Sequence, residues 1–135
     1  MTRREAREQA LSIVFEGLFS DETLPAILEN AKEARELQPA PFAEQLADGV
    51  FSHSEELDDI VGRYAIGWNK SRISKVVLAI LRLAIYEISY IDDIPVSVTI
   101  NEAVELTKKY GGEGDPGFVN GVLGSFVRAE KADKK

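Results

Sequence analysis

Apolar residues along this chain recur mostly at spacings of three and four, and in one stretch they occupy almost every position. That stretch is residues 73–91, ISKVVLAILRLAIYEISYI. Ile73, Val76, Val77, Ile80, Leu83, Ala84, Tyr86, Ile88 and Ile91 follow a helical period, while Leu78, Ala79, Leu81 and Ile85 fill the opposite side. A helix apolar nearly all round is buried against several neighbours. Ser74, Lys75, Arg82, Glu87 and Ser89 interrupt the run, so it falls short of the ~18 uncharged residues of a membrane span. The pattern predicts the central helix of a soluble, all-α domain.

The flanking segments are amphipathic. Thr2 followed by Glu5 fits a capping box, and Ala6, Ala10, Leu11, Ile13, Val14, Phe15 and Leu18 predict a helix over 3–19. Asp21 or Thr23 ahead of Pro25 opens a second, with Leu24, Ile27, Leu28, Ala31 and Ala34 on its inner face, ending before Pro39 and Pro41. A third reads continuously from Phe42 through Leu46, Val50, Leu57, Ile60 and Val61 to Tyr64. Gly62 and Gly67 loosen the approach to Trp68, whose ring is expected to close one end of the core. After a turn at Asp92–Pro95, Thr99 and Glu102 suggest another capping box, for a helix carrying Ala103, Val104, Leu106 and Tyr110 and stopping at Gly111 and Gly112. Asp115 and Pro116 open the last helix, with Phe118, Val119, Val122, Leu123, Phe126 and Val127 apolar. The expectation is one domain over 1–135, with 128–135 a frayed, charged tail.

Charge changes this picture in one respect. The net charge is -7, but residues 21–59 carry eleven acidic against two basic side chains, the first twenty residues balance, and residues 60–135 are net +2. Any nucleic-acid surface must therefore lie outside the acidic middle. Arg3, Arg4 and Arg7 share one arc of the first helix, beside a helix N-terminus whose dipole disfavours cations. Folding alone gives no reason to place them there, unless Glu5 and Glu8 pair with them at the surface. There is no cysteine and a single histidine, His53, which lacks the partner a base or metal ligand needs and reads as structural. Gly112, Gly114 and Gly117 spell GxGxxG without the strand that a dinucleotide site requires. No catalytic residue, metal site or cofactor is expected. The first residues lack a signal peptide's apolar core, which points to the cytoplasm.

Four blocks then act as a set: RREAREQAL from Arg3, ILRLAIYEI in the central helix, DIPVSVTINEAVELTKKYG after it, and FVNGVLG from Phe118. In this order they resemble the NusB family of bacterial transcription antitermination factors. The resemblance implies two packed three-helix bundles and no enzymatic activity. It implies binding of the boxA segment of nascent, chiefly ribosomal, RNA together with NusE, a small-subunit ribosomal protein, within the RNA polymerase antitermination complex. By position, Arg3, Arg4 and Arg7 match the arginine-rich RNA-contacting segment, and Arg82 the arginine of the ILR motif. Lys108, Tyr110 and Phe118 match basic and aromatic positions beside the glycine loop. Guanidinium groups hold phosphates and stack on bases, and exposed rings give single-stranded bases a platform. Tyr110 and Phe118 also sit at core-like spacing, so each is either a platform or a core ring.

The chain departs from the family pattern at several points. Gly117 stands where a basic residue is common. Val77 and Leu78 replace an acidic and a basic residue, and Phe15 replaces a tyrosine, all near the expected NusE contact. With Leu18 these residues form an expected apolar partner interface, for NusE or for a second copy of the chain. The alternative to RNA binding is thus a protein-interaction module or homodimer. A fragment of a ribosomal RNA methyltransferase is a third reading that the chain's length disfavours.

Overall fold

The structure, a computed structural model, describes residues 2–19, 23–35, 40–65 and 73–130. These residues form seven helices and no strand: α1 (Arg3–Gly17), α2 (Leu24–Arg35), α3 (Pro41–Ser52), α4 (Ser54–Tyr64), α5 (Lys75–Tyr90), α6 (Val96–Tyr110) and α7 (Asp115–Glu130). Trp68, Gly67, Asp21 and the tail beyond Glu130 lie outside the described residues, as do the side chains of Ala31 and Ala34.

The apolar stretch is α5, started by Ser74, whose hydroxyl accepts from the Val77 N–H (3.3 Å). From Val77 to Ile88 only Arg82 escapes burial, because α1, α3, α4, α6 and α7 all pack against it. Fully buried side chains of the size of Ile80, Leu81, Ile85, Ile88 and Phe126 each contribute about 1.5–3 kcal/mol through burial. On one side α1, α2 and α3 pack on one another; on the other, α5, α6 and α7 do so, with α4 set between α5 and α7. Two three-helix bundles with one extra helix result, as the family resemblance implied.

Two boundaries differ from the sequence reading. The continuous third helix is broken at His53, whose backbone leaves the helical region (φ -118°, ψ 21°), to give α3 and α4. A carbonyl only accepts, so the His53 Nδ1–H donates to the Gly49 carbonyl (2.8 Å), supplementing the His53 N–H bond to the same oxygen (3.0 Å). The imidazole closes the end of α3 and packs against the Tyr86 and Tyr90 rings. Glycine is required at residue 49, where a Cβ would collide with the Tyr86 ring. The second difference is at α6, which begins at Val96 behind Pro95 rather than at Thr99. Thr99 is buried within the helix and does not cap it.

Candidate functional site

The capping box at α1 is present: the Thr2 hydroxyl accepts from the Glu5 N–H (3.1 Å) and the Glu5 carboxylate from the Thr2 N–H (2.9 Å). The Thr2 N–H bond is the main reason the Glu5 carboxyl sits below its ordinary range. Glu5 is thereby committed to the cap and does not neutralise the arginines beside it.

The three arginines of α1 have three different environments. Arg7 is 8% exposed and makes a two-pronged ion pair with Glu87 of α5, itself 2% exposed (Nε to Oε1 2.9 Å, Nη2 to Oε2 2.7 Å). The Thr99 hydroxyl donates to the same carboxylate (2.5 Å). Two buried charges need this degree of saturation to offset their desolvation. Folding therefore accounts for Arg7, contrary to the expectation from the dipole, and its guanidinium faces the core. Arg4 is exposed and grips Glu102 of α6 with two hydrogen bonds (2.9 and 2.7 Å). That bond holds Glu102 below the usual carboxylate range although burial opposes it, and raises the Arg4 guanidinium. Arg3, also exposed, lies over the Phe42 ring (4.3 Å to its centre) and 3.9 Å from Asp93.

A parallel set of contacts continues along α6. Lys109 donates to Glu8 (2.5 Å), the Tyr110 hydroxyl reaches the same carboxylate (3.3 Å), and Lys108 pairs with Glu105 (3.1 Å). The Glu8 bond is the main cause of the raised Lys109 ammonium. Residues 4 and 8 of α1 meet residues 102 and 109 of α6 in the same order along both helices, through side chains that bridge the space between them. Between them is a cleft of about 370 Å³ lined by Arg4, Glu8, Glu102, Glu105, Lys108 and Lys109. Tyr110 is 47% exposed at its end, which makes it a surface ring rather than a core ring; Phe118 is half-buried against the core at the start of α7. Gly111, Gly112 and Gly114 form the corner between α6 and α7: Gly112 donates to the Asp115 carboxylate (2.8 Å) and Gly114 has φ 87°.

The structure does not bring Arg82 to this edge. Its guanidinium is held by Asp58 through two 2.8 Å bonds, beside Val14, Gly17, Val50 and Phe51. Gly17 is thirteen residues along α1 from Arg4, ~20 Å at helical rise.

Of the expected partner interface, Phe15 and Leu18 are half-buried. Val77 and Leu78 are 1% and 5% exposed and form part of the core. The apolar substitutions there extend the burial of α5 and do not create an outward patch. The apolar surface at this end consists instead of Phe19, 62% exposed with its ring centre 4.9 Å from that of Phe15, and a groove of about 610 Å³ bordered by Leu11, Phe15, Lys75, Val76 and Tyr110. The sequence reading missed Phe19 and Val76 here, and Glu8, Glu102 and Lys109 at the cleft. Val76 read as part of the apolar period of the central helix, and the pairs of Glu8, Glu102 and Lys109 join α1 to α6, which the period of either helix does not show.

Exposed cations and a surface ring along one edge of an all-helical domain define a binding domain. The chain belongs to the NusB family, whose model matches residues 4–128. Transcription antitermination protein NusB of Bacillus subtilis is 44% identical over 126 residues, covering 93% of this chain and 95% of that protein. The protein of that name from Acetivibrio thermocellus is 42% identical over 132 residues, covering 96% and 91%. Among solved structures, T. maritima NusB superposes with a TM-score of 0.82 at 36% identity, covering 95% of this chain and 92% of that one. A crystal structure of antitermination factors NusB and NusE in complex with dsRNA gives a TM-score of 0.82 at 25% identity, covering 94% and 96%.

Proposed function

We propose that this protein is a transcription antitermination factor that binds boxA RNA of nascent ribosomal transcripts together with NusE and helps RNA polymerase continue past terminators. The role is one of binding and not of catalysis. The observation that carries it is the match, over nearly the whole chain, to proteins named for that role, one structural relative being held with NusE and RNA. The geometry supports the α1–α6 edge as the RNA face, with Arg3, Arg4, Lys108 and Tyr110 as direct contacts. Phe118 is a contact at its rim. Arg7 acts there by holding α1 to α5 through Glu87, and Arg82 belongs to a separate surface. Phe15, Leu18 and the neighbouring Phe19 form the face for NusE or for a second copy. Among the described residues no helix is long and apolar enough to cross a membrane, and the proposed site of action is the cytoplasm.

Titration of fluorescent boxA RNA with the protein, alone and with equimolar NusE, tests this at two salt concentrations. Salt-sensitive binding that tightens with NusE is expected. No binding under either condition, by protein shown to be folded, overturns the reading.

A further inference from the structure

The cations of the α1–α6 edge do not face solvent as free charges. Arg4 is gripped by Glu102, Lys109 by Glu8 and Lys108 by Glu105, and the cleft between the helices is lined by four carboxylates, Glu5 of the cap included, against these three cations. A surface shaped only for phosphate has no use for that balance. A carboxylate offers a guanidinium the same pair of acceptor oxygens as a phosphate does. The two pairs that join α1 to α6 therefore engage donors of the kind a phosphate would use.

We propose that Glu8 and Glu102 are intramolecular phosphate mimics that set the RNA affinity of this edge: RNA binds by exchanging its phosphates for their carboxylates on Lys109 and Arg4. This rests on the RNA-binding reading above and concerns the same face. No bond is made or broken; each cation changes its anionic partner, the released Glu8 carboxylate turning to water and that of Glu102, only 12% exposed, staying beside the Arg7 guanidinium 4.0 Å away. The exchange has two consequences. Part of the affinity available from the cations is cancelled in the free protein. The salt dependence is also shallower than the number of phosphates contacted implies, since a carboxylate released to solvent, Glu8 above all, regains counterions as the phosphate sheds them. Selectivity follows as well, because a ligand must present anionic groups at the spacing of both pairs to displace both carboxylates.

The experiment is fluorescence anisotropy of boxA RNA, with NusE present, across a range of salt, for the wild type, Glu8→Gln, Glu102→Gln and Glu55→Gln. Glu55 is exposed in the acidic middle on α4, so its variant makes the same change in net charge away from the cleft. Glu8→Gln and Glu102→Gln are each expected to bind about twofold to fivefold tighter at low salt, the equivalent of releasing one exposed ion pair. Their slope of log affinity against log salt steepens by up to about 0.7, the value for one further single-strand phosphate. Glu55→Gln stays at the wild-type value, and Glu8→Gln gains nothing in a Lys109→Ala background. Glutamine keeps an acceptor for Arg4, and melting curves check the fold; the outward Glu8 variant tests the same exchange if Glu102→Gln loosens α6. Unchanged or weaker binding by both variants overturns the proposal, weaker binding meaning that the carboxylates hold the cations in place for RNA. Equal tightening by Glu55→Gln overturns it in favour of overall charge. If the wild type binds and the variants fail in these ways, only this inference falls; if nothing binds RNA, the antitermination reading falls with it.

Discussion

Arg7 and Glu87 show how much a single position can mislead when its partner is unseen. An arginine in the first turns of a helix is normally exposed and opposes the helix dipole, yet this one is sealed against α5 with both prongs of its guanidinium satisfied. Removing one member of a buried pair leaves an uncompensated charge and costs about 3–5 kcal/mol. Arg7→Ala is therefore expected to lower stability by that order in denaturant melts, whereas Arg3→Ala leaves the midpoint nearly unchanged and Arg4→Ala, which strips Glu102 of its partner, costs no more than a surface ion pair does. Replacing Arg7 and Glu87 together by methionine is expected to recover most of the loss. A triple alanine substitution of Arg3, Arg4 and Arg7 confounds folding with RNA contact; the Arg3 and Arg4 pair does not. Gly49 is the complementary case, since its lack of a side chain makes room for the Tyr86 ring. Gly49→Ala forces that ring to move, and overpacking of this kind costs about 1–3 kcal/mol, measurable in the same melts.

Between elements, polar contacts join α1 to α6, and their pH dependence has a definite sign. The Glu102 carboxyl is depressed chiefly by its bond from Arg4, and that of Glu5 by its bond from the Thr2 N–H. A carboxyl depressed in the folded state adds stability above its unfolded value, about 4.3 for glutamate, and loses it as pH falls through the folded value. Acid melts are thus expected to show stability declining below about pH 4.3, with Glu102→Gln removing part of the slope. Equal slopes for the wild type and this variant would show that the α1–α6 contact is not set by Glu102. The break between α3 and α4 belongs to this scale too. A histidine side chain bonded to the turn before it, and packed on two tyrosines of α5, ends one helix and allows the next to change direction.

The whole molecule is acidic, with a net charge of -7, and any attraction for RNA must be local. On the proposed face the exposed cations are Arg3, Arg4, Lys108 and Lys109. Three to four single-strand phosphates held by these groups give a limiting slope of about -2 to -3 in log affinity against log salt. The wild type is expected to fall short of this limit because its cations start out paired. The double variant Arg3→Ala, Arg4→Ala is expected to flatten the measured slope by up to about 1.4 while leaving NusE binding intact, as a salt series with a parallel NusE pull-down will show. Loss of NusE binding in that variant would place the partner on the same edge as the RNA.

What the sequence determined by itself was set by local and periodic information. An all-round apolar α5, the Thr2 and Glu5 capping box, and proline or glycine at helix ends were legible because helix period and capping act within a few residues of chain. The family blocks were legible as contiguous runs and marked Arg3, Arg4, Lys108 and Tyr110 as candidates, but whether Tyr110 was a surface or a core ring stayed open. Tertiary structure decided the rest. It sent Arg7 to Glu87, Arg4 to Glu102, Arg82 to Asp58 and Lys109 to Glu8, pairs 24 to 101 residues apart in the chain. It drew Thr99 into the Glu87 cluster and placed Val77 and Leu78 inside the core rather than on a partner face. Charge has no period, and a charged side chain reads the same in sequence whether it meets water, RNA or a carboxylate from another helix. Only the packing of α1 on α5 and the position this gives it opposite α6 determine which of these it meets.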